Sequence, residues 1–292
     1  MQGINNYLEM TKFRISMLVV LTGYLGFYLG LRSEGLLSIN YYDKLIFLFI
    51  GMFLSSSGCA VLNQYLEKDF DAQMMRTKNR PIPSKRVLPL NALLFGSILC
   101  VFGVFFVYQT INQLTALICL LTVILYLFVY TPSKRFSTFN TLIGSIPGAL
   151  PVLGGWTAAT NEISSISWIL FSILFCWQIP HFLAIAIIYS QDYKDGGFKM
   201  LPSEYPNSKH TQYHVLFFSI AMIGTSLGLY FEKAVGTGYL QGISIISVFF
   251  LIIVSQFMKE TSNKNAKKLM IATLFYFPLM FILIILDVIN FI

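Results

Sequence analysis

Long apolar runs without a charged side chain alternate along this chain with short polar segments. Residues 15–31, 45–66, 87–133, 136–161, 163–191, 234–258 and 269–286 contain no Asp, Glu, Lys or Arg, and 211–231 has only His214 as an ionisable group of that range. A membrane-spanning helix needs about 20 apolar residues. The 87–133 run is twice that, and Asn112–Gln113 supplies a turn near its middle. The pattern therefore predicts nine membrane-spanning helices in an all-α bundle, expected as one domain over residues 1–292.

Composition supports that class. Of the 292 residues only 11% are charged, and the mean hydropathy is +0.69; a soluble domain carries about 25% charged residues. The bases set the orientation. With the N-terminus cytoplasmic, one face collects Lys12 and Arg14, the six bases from Lys68 to Arg86, and Lys134 with Arg135. The three from Lys194 to Lys209 and the four from Lys259 to Lys268 bring this to 17 of the 20 Lys and Arg. That is a strong positive-inside bias. It accounts for the net charge of +7 without nucleic acid. The four cysteines lie in apolar spans with no CxxC spacing, which argues against a disulfide framework or a thiolate metal site. The first apolar run lacks a small-residue cleavage site and is read as the first span.

Chemistry concentrates on the basic face. Asn63–Pro83 reads NQYLEKDFDAQMMRTKNRPIP. Asn63, Glu67 and Asp71 recur every four residues and so stay near one face of a helix, over about 12 Å. Amide and carboxylate oxygens suit Mg²⁺, which commonly shares substrate phosphates. Arg76, Lys78 and Arg80 add donors for phosphate oxygens, and Pro81 and Pro83 are expected to stop the helix. The bland alternative is that the acids cap the wet end of a span and pair with Lys68 and Arg76. Against it, polar groups at the membrane edge are costly and usually face a cavity.

A second polar region, Trp177–Pro202, holds Gln178, Pro180, His181, Asp192 and Asp195. His181 and Asp192 are eleven apart, close to three helical turns, and are expected on one side of the sixth span. Pro180 is expected to kink that span beside His181. His181 is either a satisfied structural residue or a contact for a polar or metal-containing ligand. In the fifth span Gly144, Pro147, Gly148, Pro151, Gly154 and Gly155 predict a helix that is broken or packs very closely, and as a cluster they favour a cavity wall. Tyr130–Phe136 (YTPSKRF) adds Lys134 and Arg135 to the same face.

These residues resemble the UbiA-type intramembrane prenyltransferases, and within them the protohaem IX farnesyltransferases. The family's N-D-x-x-D-x-x-x-D motif corresponds to Asn63-Gln64-x-x-Glu67-x-x-x-Asp71, and the haem-specific R-T-x-x-R-P to Arg76-Thr77-Lys78-Asn79-Arg80-Pro81. Tyr130-Thr131 with Lys134-Arg135, Gly144–Trp156, Trp177-Gln178-x-Pro180-His181-Phe182, and Asp192-Tyr193 with Met200-Leu201-Pro202 also match. Two departures stand out. Gln64 and Glu67 replace aspartates, and the second motif, D-x-x-x-D, has Gly at 196 with Asp195 one residue early.

The resemblance implies a nine-helix bundle around a central cavity in the bacterial cytoplasmic membrane, with its active site on the cytoplasmic face. It implies transfer of farnesyl from farnesyl diphosphate to protohaem IX, with water, giving haem O and diphosphate. Implied Mg²⁺ ligands are Asn63, Glu67, Asp71, Asp192 and, less firmly matched, Asp195. Implied diphosphate contacts are Arg76, Lys78, Arg80, Lys134 and Arg135, and His181 and Gln178 would contact haem. Haem-pathway or oxidase-assembly proteins are implied as partners. A sister enzyme prenylating a quinone precursor or other aromatic acceptor shares the acid motifs; a secondary transporter fits worse, because transport sites lie near the bilayer midplane and these acids cluster at one face.

Overall fold

The computed structural model describes residues 2–36, 41–206 and 208–289. Nine helical segments among them are long and apolar enough to cross a membrane, and no strand occurs among the described residues. The helices divide into two compact units, Met1–Ile163 with Gln191–Lys199, and Ser164–Ser190 with Met200–Ile292.

In the first unit a short helix, α1 (Gln2–Met10), is followed by α2 (Phe13–Ser33), α3 (Tyr42–Asp71), α4 (Pro89–Thr110) and α5 (Gln113–Ile124). The turn expected at Asn112–Gln113 is present. Asn112 is the N-cap of α5, its side chain accepting from the Thr115 N–H at 2.7 Å, which satisfies one otherwise orphaned amide. Past Ile124 the span widens into a π-helical stretch, Leu125–Tyr130, and finishes as α6 (Thr131–Phe136). Pro132 has no N–H to give to the carbonyl one turn back, and a wider turn accommodates that loss. The Thr131 N–H instead bonds to the Tyr126 carbonyl, five residues back.

The fifth span, α7 (Asn140–Thr160), is an unbroken helix that carries both Pro147 and Pro151. Close packing, the other expected outcome, is what its glycines provide. A Cβ on Gly155 would run into the Gly23 carbonyl of α2, and one on Gly26 into the Val152 carbonyl. Hydrogen atoms in place of side chains let α2 and α7 meet backbone to backbone, where dispersion contacts drive association in lipid.

Two expectations need correction here. The helix carrying the acids ends at Asp71, ten residues before Pro81. Residues 72–87 fold as consecutive turns, held by Thr77 Oγ1 donating to the Asp71 carbonyl at 2.8 Å and by the Lys78 N–H on Met74 O at 2.9 Å. A side-chain and turn network there outcompetes further helix. The sixth span, α8 (Ser165–Ile188), stops at Tyr189, and Asp192 belongs to a separate short helix, α9 (Ser190–Asp195). The helical phase linking His181 to Asp192 is therefore interrupted.

The second unit comprises α8, the short α10 (Leu201–Glu204), α11 (His210–Phe231), α12 (Thr237–Lys259) and α13 (Asn263–Ile289). Pro180 lies within α8, which continues through it. α8 opens with a capping box between Ser164 and Ser167. The buried Asp287 accepts from the Gly236 and Tyr239 N–H groups and so caps α12 from α13. An acid at a helix N-terminus is electrostatically placed to do this.

Candidate active site

The last three turns of α3 carry the acid ladder. Asn63, Glu67 and Asp71 are 2%, 3% and 0% exposed, so the four-residue spacing does bury all three on one face. Burying two carboxylates demands compensation, and each has a cation. Lys134 Nζ lies 2.8 Å from Glu67 Oε1, delivered by α6 after the π-helical turn. Arg80 Nη1 donates to both Asp71 oxygens, at 2.8 and 2.7 Å, because the 72–87 turns fold back on the helix end. Asn63 Nδ2 donates to Thr131 Oγ1 at 3.2 Å, while that hydroxyl donates to the Tyr126 carbonyl at 2.9 Å. The hydroxyl proton is thus engaged, which fixes the Asn63 amide and leaves its oxygen available.

The remaining expected cations lie further out. Arg135 stacks on Phe70, its guanidinium carbon 4.0 Å from the ring centroid, and donates to the Leu66 carbonyl at 2.8 Å. Arg76 is exposed and lies over Tyr193 at 5.5 Å. Lys78 is exposed, its ammonium 3.2 Å from Met75 Sδ.

The 191–199 segment joins this unit through backbone. The Lys199 N–H donates to the Lys134 carbonyl at 2.7 Å, and Asn140 Nδ2 donates to the Lys199 carbonyl at 2.7 Å. Asp192 is half-buried there; Asp195 is exposed and accepts from Gln191 Nε2 at 2.8 Å. The glycine at 196 has a packing reason. A Cβ there would meet the buried Met74 side chain at 2.8 Å.

Below the ladder lies an apolar cavity. Lys12 and Tyr126 line it at the ladder end, and Leu48, Val107 and Thr115 at the other. Pro147, Gly148, Pro151 and Gly154 of α7 form one wall, the role expected for that cluster.

In the second unit His181 and Gln178 are both buried on α8. The His181 ring stacks on Trp177 with centroids 5.1 Å apart, and its Nδ1 lies 2.8 Å from Thr273 Oγ1. Thr273 Oγ1 donates to the Met270 carbonyl at 2.7 Å. A hydroxyl that has spent its proton can only accept, so His181 Nδ1 carries the hydrogen and Nε2 presents a lone pair. Gln178 Nε2 donates to the Leu174 carbonyl at 3.2 Å.

A model of the UbiA prenyltransferase family matches residues 19–285. The chain belongs to the UbiA prenyltransferase family. Among its relatives, the protohaem IX farnesyltransferase of Solibacter usitatus is 36% identical over 288 residues, 97% of this chain and 99% of the relative. That of Salinibacter ruber is 37% identical over 282 residues, 97% and 98% of the two chains. Among solved structures, a digeranylgeranylglyceryl phosphate synthase superposes with a TM-score of 0.82 at 20% identity, covering 99% of this chain and 100% of that one. A UbiA homologue from Archaeoglobus fulgidus bound to DMAPP and Mg²⁺ gives 0.67 at 14% identity, over 96% and 99%.

Two residues of this UbiA-family chain escaped the sequence reading. Lys12 counted only as a topological charge. It is the N-cap of α2, held at φ 48°, ψ 51°, a left-handed conformation that is uncommon for a side chain of this size. Half-buried at the cavity mouth, its ammonium is pushed down to about 7, first by burial and then by Arg80 and Lys134, against the pull of Glu67 and Asp71. Gln64, noted only as a lost charge, donates through Nε2 to the Met10 carbonyl at 2.7 Å and thereby ties the end of α1 to α3. An aspartate has no proton to offer there. A base immediately before the first span was the only signal for Lys12; for Gln64 there was none.

As for Mg²⁺, no group of three or more His, Cys, Asp or Glu close enough to cage a metal occurs among the described residues. The donors present are instead a buried amide oxygen and two carboxylates already neutralised by cations. That set fits a hard cation that arrives with, and shares, a polyanionic substrate. It does not fit an ion caged by protein alone.

Proposed function

We propose that this prenyltransferase moves the farnesyl group of farnesyl diphosphate to a vinyl group of protohaem IX, with addition of water, giving haem O and diphosphate. One observation carries the reading: a buried, cation-matched acid ladder stands at the mouth of an apolar cavity. An apolar tail with a polyanionic head matches that division, and the relatives' names supply the acceptor.

Asn63, Glu67, Asp71 and Asp192, with Asp195 at the rim, would hold Mg²⁺, which when bound supplies Lewis-acid stabilisation of the leaving diphosphate. Arg80 and Lys134 occupy the carboxylates in the substrate-free protein. With a polyanion present they turn to its oxygens, joined by Arg76, Lys78, Arg135 and Lys12. Cleavage of the C1–O bond releases diphosphate and leaves an allylic cation, which the vinyl group attacks; water then captures the new cation and gives up a proton, which the released diphosphate can take. The cavity walls keep bulk water from the first cation. His181 offers its Nε2 lone pair to the haem, with Gln178 one turn away. The site faces the cytoplasm of a bacterial inner membrane, on the charge asymmetry of the loops.

Membranes containing the protein, supplied with protohaem, farnesyl diphosphate and Mg²⁺, should yield a hydroxyethylfarnesyl haem detectable by mass. Folded protein that forms no such adduct would sink the reading. Asp71→Ala should insert normally and show no turnover.

A further inference from the structure

In the second unit α12 and α13 leave a groove between them. Its rims are open, with Phe249 and Phe275 both more than half exposed. Ala272 lies deeper, with the rings of Phe250 and Tyr276, whose centroids are 5.4 Å apart. Along α13 the lining runs from Lys268 to Leu279, eleven residues, or about 17 Å at 1.5 Å per residue. One leaflet of a hydrocarbon core about 30 Å thick has nearly that depth. The groove is therefore as long as the acyl region of a single leaflet.

Its end on the basic face is charged. Lys268 alone among the lining residues carries a charge. Its Nζ donates to Gln256 Oε1 of α12 at 3.1 Å, which holds the ammonium across the end of the groove, with two N–H donors still to give. Lys264 stands one turn earlier on the same helix, Lys267 beside it, and Lys259 closes α12. Against these four ammonium groups the segment offers one carboxylate, Glu260. Among the described residues none of the four lysines is in an ion pair. The lysines of α13 do nothing for that helix. Cations near a helix start oppose its dipole, and no acid in the first turn offsets them. Membrane topology accounts for bases on this face, but not for one set at the end of an apolar groove.

We propose that this groove binds an anionic phospholipid of the leaflet on the basic face. One acyl chain lies along Phe250, Ala272 and Tyr276, and Lys268 donates to the phosphate, with Lys264 and Lys267 adding charge. A zwitterionic lipid brings the same phosphate with a cation attached, which the lysines repel. No residue assigned to prenyl transfer takes part, so this site and that reaction are judged by separate data.

The test titrates the full chain in detergent with dioleoyl phosphatidylglycerol or dioleoyl phosphatidylcholine and counts bound lipid by native mass spectrometry. Wild type should hold the anionic lipid about tenfold more tightly. Lys268→Gln should lower that affinity about fivefold, the worth of one lysine at a lipid surface, and leave phosphatidylcholine unchanged. Ala272→Phe fills the groove with every lysine retained and should cost about fivefold or more. Lys209→Gln, at an exposed lysine of the same face outside the groove, should change affinity less than about twofold. Equal affinity for the two lipids overturns the site. So does a Lys209→Gln effect matching that of Lys268→Gln, the mark of diffuse charge alone. Wild-type affinity in folded Ala272→Phe overturns it as well, as does a wild-type dimer that Ala272→Phe abolishes, since a second copy would then cover the groove. The lysine pair decides the matter even where Ala272→Phe misfolds.

Discussion

The Arg80–Asp71 pair makes a sharp energetic prediction. Asp71 has no solvent exposure, while the Arg80 side chain keeps 22%. Asp71 is also the last residue of α3, where the helix dipole disfavours a negative charge. A single guanidinium nitrogen compensates both of its oxygens. Arg80→Gln therefore strands a buried carboxylate, at a cost of about 3–5 kcal/mol, or on the order of 10 °C in unfolding midpoint. Asp71→Asn is milder, because the freed guanidinium can reach water along its stem. With Asp71→Asn already in place, Arg80→Gln removes only an ordinary hydrogen bond, about 1 kcal/mol. The coupling across the cycle is thus about 2–4 kcal/mol. Unfolding midpoints of wild type, the two single variants and the double variant in one detergent measure it. If Arg80→Gln costs the same in both backgrounds, to within about 0.5 kcal/mol, the carboxylate does not depend on this cation and the argument fails.

Lys12 ties stability to pH: folded, it loses its proton above about 7, whereas the unfolded chain keeps it to 10.5. Between those values the unfolded state binds more protons, so stability rises with pH; the wild-type midpoint should climb relative to Lys12→Met from pH 7 to 10, and parallel curves would contradict this. Gln64→Glu replaces a donor by an acceptor facing the Met10 carbonyl. It should lower stability by about 1–3 kcal/mol, and weaken the stabilisation of the protein by Mg²⁺-diphosphate as the α1–α2 junction with Lys12 shifts; unchanged diphosphate response would exclude that positioning role. Gly155→Ala pushes a methyl group into the Gly23 carbonyl and should destabilise by about 1–3 kcal/mol, read as a lower midpoint, whereas Gly154→Ala, with only Ile118 at 3.7 Å, should be nearly silent.

Much of this architecture was legible as a string of residues. Charge-free runs of sufficient length specify nine membrane-crossing helices, because lipid cannot hydrogen-bond an open backbone. The four-residue spacing of Asn63, Glu67 and Asp71 specifies a shared face, because helical periodicity is local. What the tertiary structure alone decided is who answers each buried charge. Lys134 on Glu67 and Arg80 on Asp71 depend on a π-helical turn and on turns between residues 72 and 87 that end α3 sooner than its prolines suggest. Lys12 comes to the cavity through a left-handed residue and a glutamine anchor. The cavity lining likewise gathers residues far apart in sequence, Leu48, Val107, Thr115 and Pro151. Local spacing reports the face a side chain shares; only packing reports what lies opposite it.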